Sequence, residues 1–269
     1  MTSGIDWALH RGRFPALKSA MPTRLFHISD VHFGVEDPEA ISVVERAVAA
    51  ERPDVVLCTG DLTQRATKRQ YADAAQWFRG LKVPILFDPG NHDMPYYNLW
   101  ERFTDPYRRY RQLNDNAGTA YESKDAVFVP LKTTVRAQPR FPWSDGFVTD
   151  RALENTLTRL GELKDDPRTI MVTAHHPLLG PKDDENPTIG GDRAFAAIAA
   201  AGADVIVSGH VHVPFDEVRE RDGHSMRMLG TGTLSTRLRH GAPPSYRVIT
   251  CKQGGDVETE LRTLTPAHI

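Results

Sequence analysis

The stretch "LFHISDVHFG", residues 25–34, decides how the chain is read. Apolar residues suited to a buried strand run straight into Asp30 and His32, a carboxylate and an imidazole with one residue between them. Side chains at i and i+2 of extended backbone share a side, so this spacing predicts two ligand-type groups delivered together at a strand end. The device recurs downstream. "CTGD" closes a second β-branched run (54–60) on Asp61, and "GNHD" closes a third (83–90) on Asn91, His92 and Asp93. "TAHHP" ends the run 168–174 on His175 and His176, and "SGHVH" ends 204–209 on His210 and His212.

Helical patterns separate these runs over 38–53, 68–81 and 149–163, with an Ala-rich segment at 194–203. Strands alternating with helices predict βαβ crossovers and a largely parallel sheet. Ligands of such sheets bind at the carboxyl ends of the strands, so the groups named above are expected on one sheet edge. Residues 94–118 read as a helical, aromatic and arginine-rich insert, after which strand resumes over 126–133. Beyond residue 213 the runs 226–232, 245–250 and 257–264 lie between Gly and Pro turns and predict a mostly antiparallel tail. The simplest fold class is α/β: one domain over 23–269, two packed mixed sheets flanked by helices, preceded by an optional leader at 1–22.

Composition narrows the function classes. The 269 residues are 40% hydrophobic and 25% charged, with a formal net charge of -2. That balance argues against a nucleic-acid partner or an acidic membrane surface. No apolar run approaches the roughly 20 residues that span a bilayer. The N-terminus lacks an h-region with a cleavage pattern. Cys58 and Cys251 show no framework spacing, which suits a reducing, cytoplasmic setting. A homo-oligomer is compatible with all of this.

Carboxylate, imidazole and amide ligands without thiolate suit Mn, Fe, Zn, Co or Ni rather than a structural zinc knot. The candidate O and N ligands outnumber what one tetrahedral ion takes and fit two divalent ions sharing a carboxylate. Asp61 is the natural bridge, because a carboxylate has two oxygens. Two divalent ions set against Asp30, Asp61 and a hydroxide leave a positive surplus, which would attract a phosphate anion.

In order from Asp30 to His212, the blocks D-x-H, G-D, G-N-H-D, a later His and G-H-x-H resemble the calcineurin-like metallophosphoesterases. The resemblance implies a four-layer αββα sandwich. It also implies one metal held by Asp30, His32, Asp61 and His212, and a second held by Asp61, Asn91, His175 and His210. It casts His92 as the histidine that steadies the phosphoryl group or protonates the leaving oxygen, with Asp93 orienting it. The implied chemistry is attack of a metal-bridging hydroxide on a phosphodiester of a small substrate, nucleotide derivatives included, as in bacterial class III cyclic-nucleotide and glycerophosphodiester phosphodiesterases. A pyrophosphatase of the UDP-diacylglucosamine type, a nuclease and an inactive scaffold of the same fold are the rivals. The aliphatic-poor insert, the near-neutral charge and the complete ligand set weigh against them in turn.

Softer candidates surround this core. His176 should point away from His175, either supporting the ligands from behind or facing the substrate, and Tyr96 and Tyr97 follow the "GNHD" block closely enough to touch substrate. Trp100, Phe103, Tyr107 and Tyr110, interleaved with Arg102, Arg108, Arg109 and Arg111, read as a packed helix with solvated arginines or as a base-stacking lid. Arg237 and His240 read as surface residues, with a place lining the cleft as the alternative, and His10, His27, His224 and His268 read as structural.

Overall fold

The structure is a computed structural model and describes residues 21–119, 121, 123–138, 144–180 and 188–264. The leader up to residue 20, His10, His268 and positions 181–187 of the Pro/Gly/Asp-rich loop lie outside the described residues. Among the described residues, ten strands form two sheets. The first has the order β10-β9-β1-β2-β3 and the second β4-β5-β6-β8-β7. The strands of the first sheet are β1 (Thr23–Ile28), β2 (Val55–Cys58), β3 (Ile85–Phe87), β9 (Ser245–Cys251) and β10 (Val257–Thr263). Those of the second are β4 (Ala126–Pro130), β5 (Thr169–Thr173), β6 (Val205–Ser208), β7 (Phe215–Arg221) and β8 (His224–Gly230).

Alternation along each strand builds the layers. Leu25, Val55, Leu57, Met171, Val205 and Val207 point between the sheets and share one apolar cluster with Leu229 and Ile249. Their neighbours Phe26, Val56 and Cys58 point outward against α1 (Pro38–Glu51), α2 (Lys68–Gly80) and α4 (Arg108–Ala117). On the other side Ile170, Val172 and Ile206 point outward against α5 (Asp150–Glu162) and α6 (Gly191–Ala200). Both faces of the central strands are therefore apolar, which is why they read as unbroken hydrophobic runs. Burying each such side chain stabilises the fold by about 1.5–3 kcal/mol. The result is a four-layer αββα sandwich.

Helix starts follow their capping residues. Asp37 accepts from the amides of Glu39 and Ala40 ahead of Pro38, and Thr67 with Gln70 forms a reciprocal capping box at α2. The insert holds α3 (Leu99–Thr104) as well as α4, and α4 buries Tyr110 and Leu113 against the outer face of the first sheet. β1, β2 and β3 are mutually parallel, as are β4, β5 and β6. The expected antiparallel tail needs one correction: β8 pairs with β6 in parallel and only its other edge, with β7, is antiparallel. β7 itself is an element that the sequence reading lacks.

Candidate metal centre

The carboxyl ends of β1, β2, β3, β5 and β6 open onto one edge of the sandwich, and each continues into a loop that carries a candidate ligand. Backbone bonds extend the parallel ladder past the strands. The Asp30 amide donates to the Gly60 carbonyl at 3.0 Å, the His32 amide to Asp61 O at 2.9 Å, and the Gly209 amide to His175 O at 3.0 Å. The loops are thereby stitched together one residue at a time.

The expectation that Asp30–His32 and His210–His212 ride on extended backbone is overturned. β1 stops at Ile28 and β6 at Ser208, and the ligand candidates lie beyond. Asp30, His32, Asp61, His210 and His212 have φ of 54°, 51°, 51°, 66° and 60°. Non-glycine residues held there cost on the order of 1–3 kcal/mol each and persist only where the surroundings over-determine them. The residues between them supply that constraint: Val31 is fully buried in the first outer core, and Val211 packs on the second. Each pair still presents both side chains to one place, through alternate left-handed residues rather than through a pleat. Glycine is required at two neighbouring positions. Gly60 has φ +99°, and a Cβ there would lie 2.6 Å from His175 Nδ1; a Cβ on Gly90 would overlap the Asp61 amide and carboxylate.

Two groups of donors result. In one, His212 Nε2 lies 3.1 Å from Asp30 Oδ1 and 3.2 Å from His32 Nε2, which is 3.7 Å from Asp61 Oδ2. In the other, His175 Nε2 lies 3.4 Å from Asp61 Oδ2 and 3.1 Å from Asn91 Oδ1, with the His210 ring 5.2 Å from the His175 ring. Two sets of three drawn from these residues, Asp30–His32–His212 and Asp30–Asp61–His175, each offer ligand atoms within 4.8 Å of one another, as do His32–Asp61–His92 and His175–His176–His210. All of the residues expected to bind metal are brought together here.

The donor set fits a divalent cation. His175 Nδ1 is 2.7 Å from the Thr59 carbonyl, and His212 Nδ1 is 2.6 Å from that of Arg237. A carbonyl only accepts, so both Nδ1 atoms carry hydrogen and both Nε2 atoms, the positions left to bind a cation, face carboxylates. A carbonyl behind an imidazole in this way is the usual support of a metal-binding histidine. Lone pairs opposed to carboxylates repel unless a cation lies among them. His175 shows the demand. Burial opposes its charge, yet the Asp61 and Asp30 carboxylates outweigh burial and push its pKa up to about 9. Burial also resists ionisation of Asp30, and the His212 imidazole overcomes it and holds that carboxyl below its ordinary range. His32, driven down to about 3 chiefly by burial, stays neutral, and its buried Nδ1 has no partner among the described residues.

The remaining candidates sort by what they touch. His92 is half-buried at the mouth, its ring 4.9 Å from that of His32. The Asp93 carboxylate does not meet the His92 imidazole. It accepts from the amides of Leu62, Thr63 and Gly90 and from the Thr63 hydroxyl, clamping the "GNHD" turn to the Asp61 loop. His176 is packed among the candidate ligands. It is buried, its ring nitrogens engage Thr133 Oγ1 and the Ser144 carbonyl, and its ring packs 4.3 Å from that of His210. Tyr96 and Tyr97 are 56% and 74% exposed, and Arg65 Cζ lies 4.3 Å over the Tyr96 ring. Of the insert aromatics, Tyr107 and Tyr110 are buried and Trp100 is exposed. Arg108 and Arg109 pair with Glu101, and Arg111 pairs with Asp105.

Arg237 takes the second of its two expected places, lining the cleft. Its guanidinium Nη1 is 3.0 Å from His92 Nε2 and 3.3 Å from Gln64 Oε1, while its carbonyl supports His212. The signal was only its place beyond the G-H-x-H block, in a loop of no recognisable motif.

Comparison with known proteins follows the same lines. The family model described as calcineurin-like phosphoesterase matches residues 23–214. A probable cyclic nucleotide phosphodiesterase of Rhodopseudomonas palustris is 26% identical over 206 residues, covering 71% of this chain and 72% of its own. A glycerophosphodiester phosphodiesterase of Enterobacter lignolyticus is 31% identical over 172 residues, 58% of this chain and 57% of its own. A dimetal phosphatase from Danio rerio superposes with a TM-score of 0.58 at 12% identity, over 91% of this chain and 100% of that one. PhoD superposes with a TM-score of 0.62 at 12% identity, over 93% and 70%.

Proposed function

The chain belongs to the calcineurin-like phosphoesterases and is a metal-dependent phosphoesterase; on that premise we propose that it hydrolyses a small phosphodiester at a centre of two divalent ions. The observation that carries the reading is the position of one oxygen. Asp61 Oδ2 lies 3.7 Å from His32 Nε2 on one side and 3.4 Å from His175 Nε2 on the other, a shared corner between two donor sets. In this reading Asp30, His32, Asp61 and His212 hold one ion, and Asp61, Asn91, His175 and His210 hold the other. Mn, Fe, Zn, Co and Ni all suit such ligands. Divalent ions held there would supply positive charge for phosphoryl oxygens and would activate a water.

The protein's own groups do the rest. Thr59 and Arg237 carbonyls hold two imidazoles with Nε2 toward the centre. The Asp61 oxygen not shared between the sets accepts the His92 amide at 2.8 Å, which fixes the carboxylate plane. Asn91, neutral where an acid would cancel charge, preserves a positive surplus suited to a singly charged diester. The relatives named for cyclic nucleotides and for glycerophosphodiesters point to the same substrate class, with exposed Tyr96 beside Arg65 available to a flat or polar leaving group. Buried, unpaired Cys58 and Cys251 agree with a reducing cytoplasm, and no described helix is long and apolar enough to cross a membrane.

A hydrolysis screen on Mn(II)-reconstituted protein tests the reading. Bis-nitrophenyl phosphate, cyclic nucleotides and glycerophosphodiesters should be turned over faster than mono-nitrophenyl phosphate. Preference for the monoester would make the protein a phosphomonoesterase, and turnover of lipid-linked pyrophosphates alone would make it a pyrophosphatase.

A further inference from the structure

The hydrogen bonds of His92 settle where its proton lies. Nδ1 is 2.8 Å from the Gln64 carbonyl, which only accepts, so Nδ1 carries the hydrogen. Nε2 is 3.0 Å from Arg237 Nη1, which only donates, so Nε2 presents a lone pair. In this arrangement Nε2 has no proton to give. The positive hydrogen-bond donor at that place is Arg237.

We propose that Arg237, braced by His92, is the residue that grips the phosphoryl oxygens in this cleft. The inference rests on the phosphoesterase reading above and reverses the roles expected for that corner of the site. A guanidinium has five N–H donors in a planar fork and matches two phosphoryl oxygens at once. Nη1 is occupied by His92 and Gln64, and Nε and Nη2 have no hydrogen-bond partner among the described residues. Arg237 is near enough to Asp61 and Asp30, and to Arg65 and Arg239, to feel the charges of all four.

Its backbone is held firmly for this task. Thr233 Oγ1 and the Leu234 amide both donate to the Asp30 carbonyl, and the Thr236 amide donates to Val35 O at 3.0 Å. The Ser235 hydroxyl, fully buried, accepts the Arg237 amide at 3.3 Å. The loop is therefore tied to the Asp30–His32 turn before its side chain reaches His92. Because the Arg237 carbonyl supports His212, one residue sets both a candidate ligand and the oxygen-binding fork. Substitution of the side chain leaves that carbonyl in place.

The test compares wild type, Arg237→Ala, Arg237→Lys, His92→Ala and the Arg237→Ala/His92→Ala pair after Mn(II) reconstitution. Metal content, affinity for inorganic phosphate by calorimetry, and kcat and KM for bis-nitrophenyl phosphate are measured for each. Arg237→Ala should keep its metal, bind phosphate at least about tenfold more weakly, as loss of a charged hydrogen bond implies, and lose roughly 10²- to 10³-fold in kcat/KM. Arg237→Lys, which keeps charge without the fork, should recover only part of both losses and serves as the readout if the alanine variant does not fold. His92→Ala should also keep its metal, and in the Arg237→Ala background it should cost little more, since its brace has nothing left to hold. Unchanged phosphate affinity in both Arg237 variants, or losses that multiply in the double variant, would overturn the proposal. A wild type inactive on every diester would instead defeat the phosphodiesterase reading, and the phosphate affinities would still decide the role of Arg237.

Discussion

Asp61 divides its oxygens between two duties, one fastened to the His92 amide and one lying between His32 and His175. Its replacement therefore reaches both donor sets, whereas His212 belongs to one. Asp61→Ala is expected to lose both ions and His212→Ala mainly one, read by elemental analysis under saturating Mn(II) against a wild type holding two per chain. A wild type that binds one ion refutes the shared-oxygen arrangement. At this scale the identities of the candidate ligands were legible, because Asp-x-His, Gly-Asp and His-x-His at strand ends are compact patterns. Their backbone was not. A pleat and a pair of left-handed turns both bring i and i+2 together, and spacing alone cannot separate them. Arg237 could be read as cleft-lining only as an alternative for another reason: its neighbours, His92 and Gln64, are remote in sequence and meet it only because the loop is tied across the Asp30 turn.

Strand termini carry the next level of consequence. Asp88 follows β3, is buried, and leaves Oδ2 without a partner among the described residues. Burial raises its pKa from 3.8 to about 6, against the Thr173 bond and the His175 charge, which lower it. The folded state thus binds this proton more tightly than the unfolded chain does. The stabilisation is complete below the unfolded value and is lost as pH rises through the folded one, so metal-free protein should lose up to about 3 kcal/mol between pH 4 and pH 7 from this group. Asp88→Asn should flatten that window and exceed wild type in denaturant stability at pH 7.5. An unaltered pH profile would show that Asp88 is solvated. Element recognition failed in one place, at β7, whose "FDEVRER" is nearly all charge and has exposed Val218. An edge strand buries one flank only and carries charges outward, so its hydrophobic signal is weak. The stronger clue was the turn: Asp222 and Gly223 have φ of 52° and 79°, the pair of positive angles that an Asp-Gly hairpin turn needs.

Across the whole molecule, the alternation of strands and helices led directly to layered α/β architecture, since each repeat exposes one apolar face that only a neighbouring layer can cover. How the two sheets register against each other was not readable, because it depends on how the inward side chains of both fit together. That register matters to the centre. Asp30, His32, Asp61 and Asn91 hang from the first sheet, and His175, His210 and His212 from the second, so each proposed ion is gripped from both sides. If two ions are held in this way, the distance between them would respond to packing in the layer between the sheets. Met171, fully buried there, makes the idea measurable: Met171→Ala should cost about 2–5 kcal/mol of stability and, with every ligand intact, shift the magnetic exchange between two bound Mn(II) ions in electron paramagnetic resonance. An unshifted spectrum in the destabilised variant would mean that the tied loops set the spacing themselves; a shifted one would make inter-sheet packing a dial on the electronic state of a centre that it never touches.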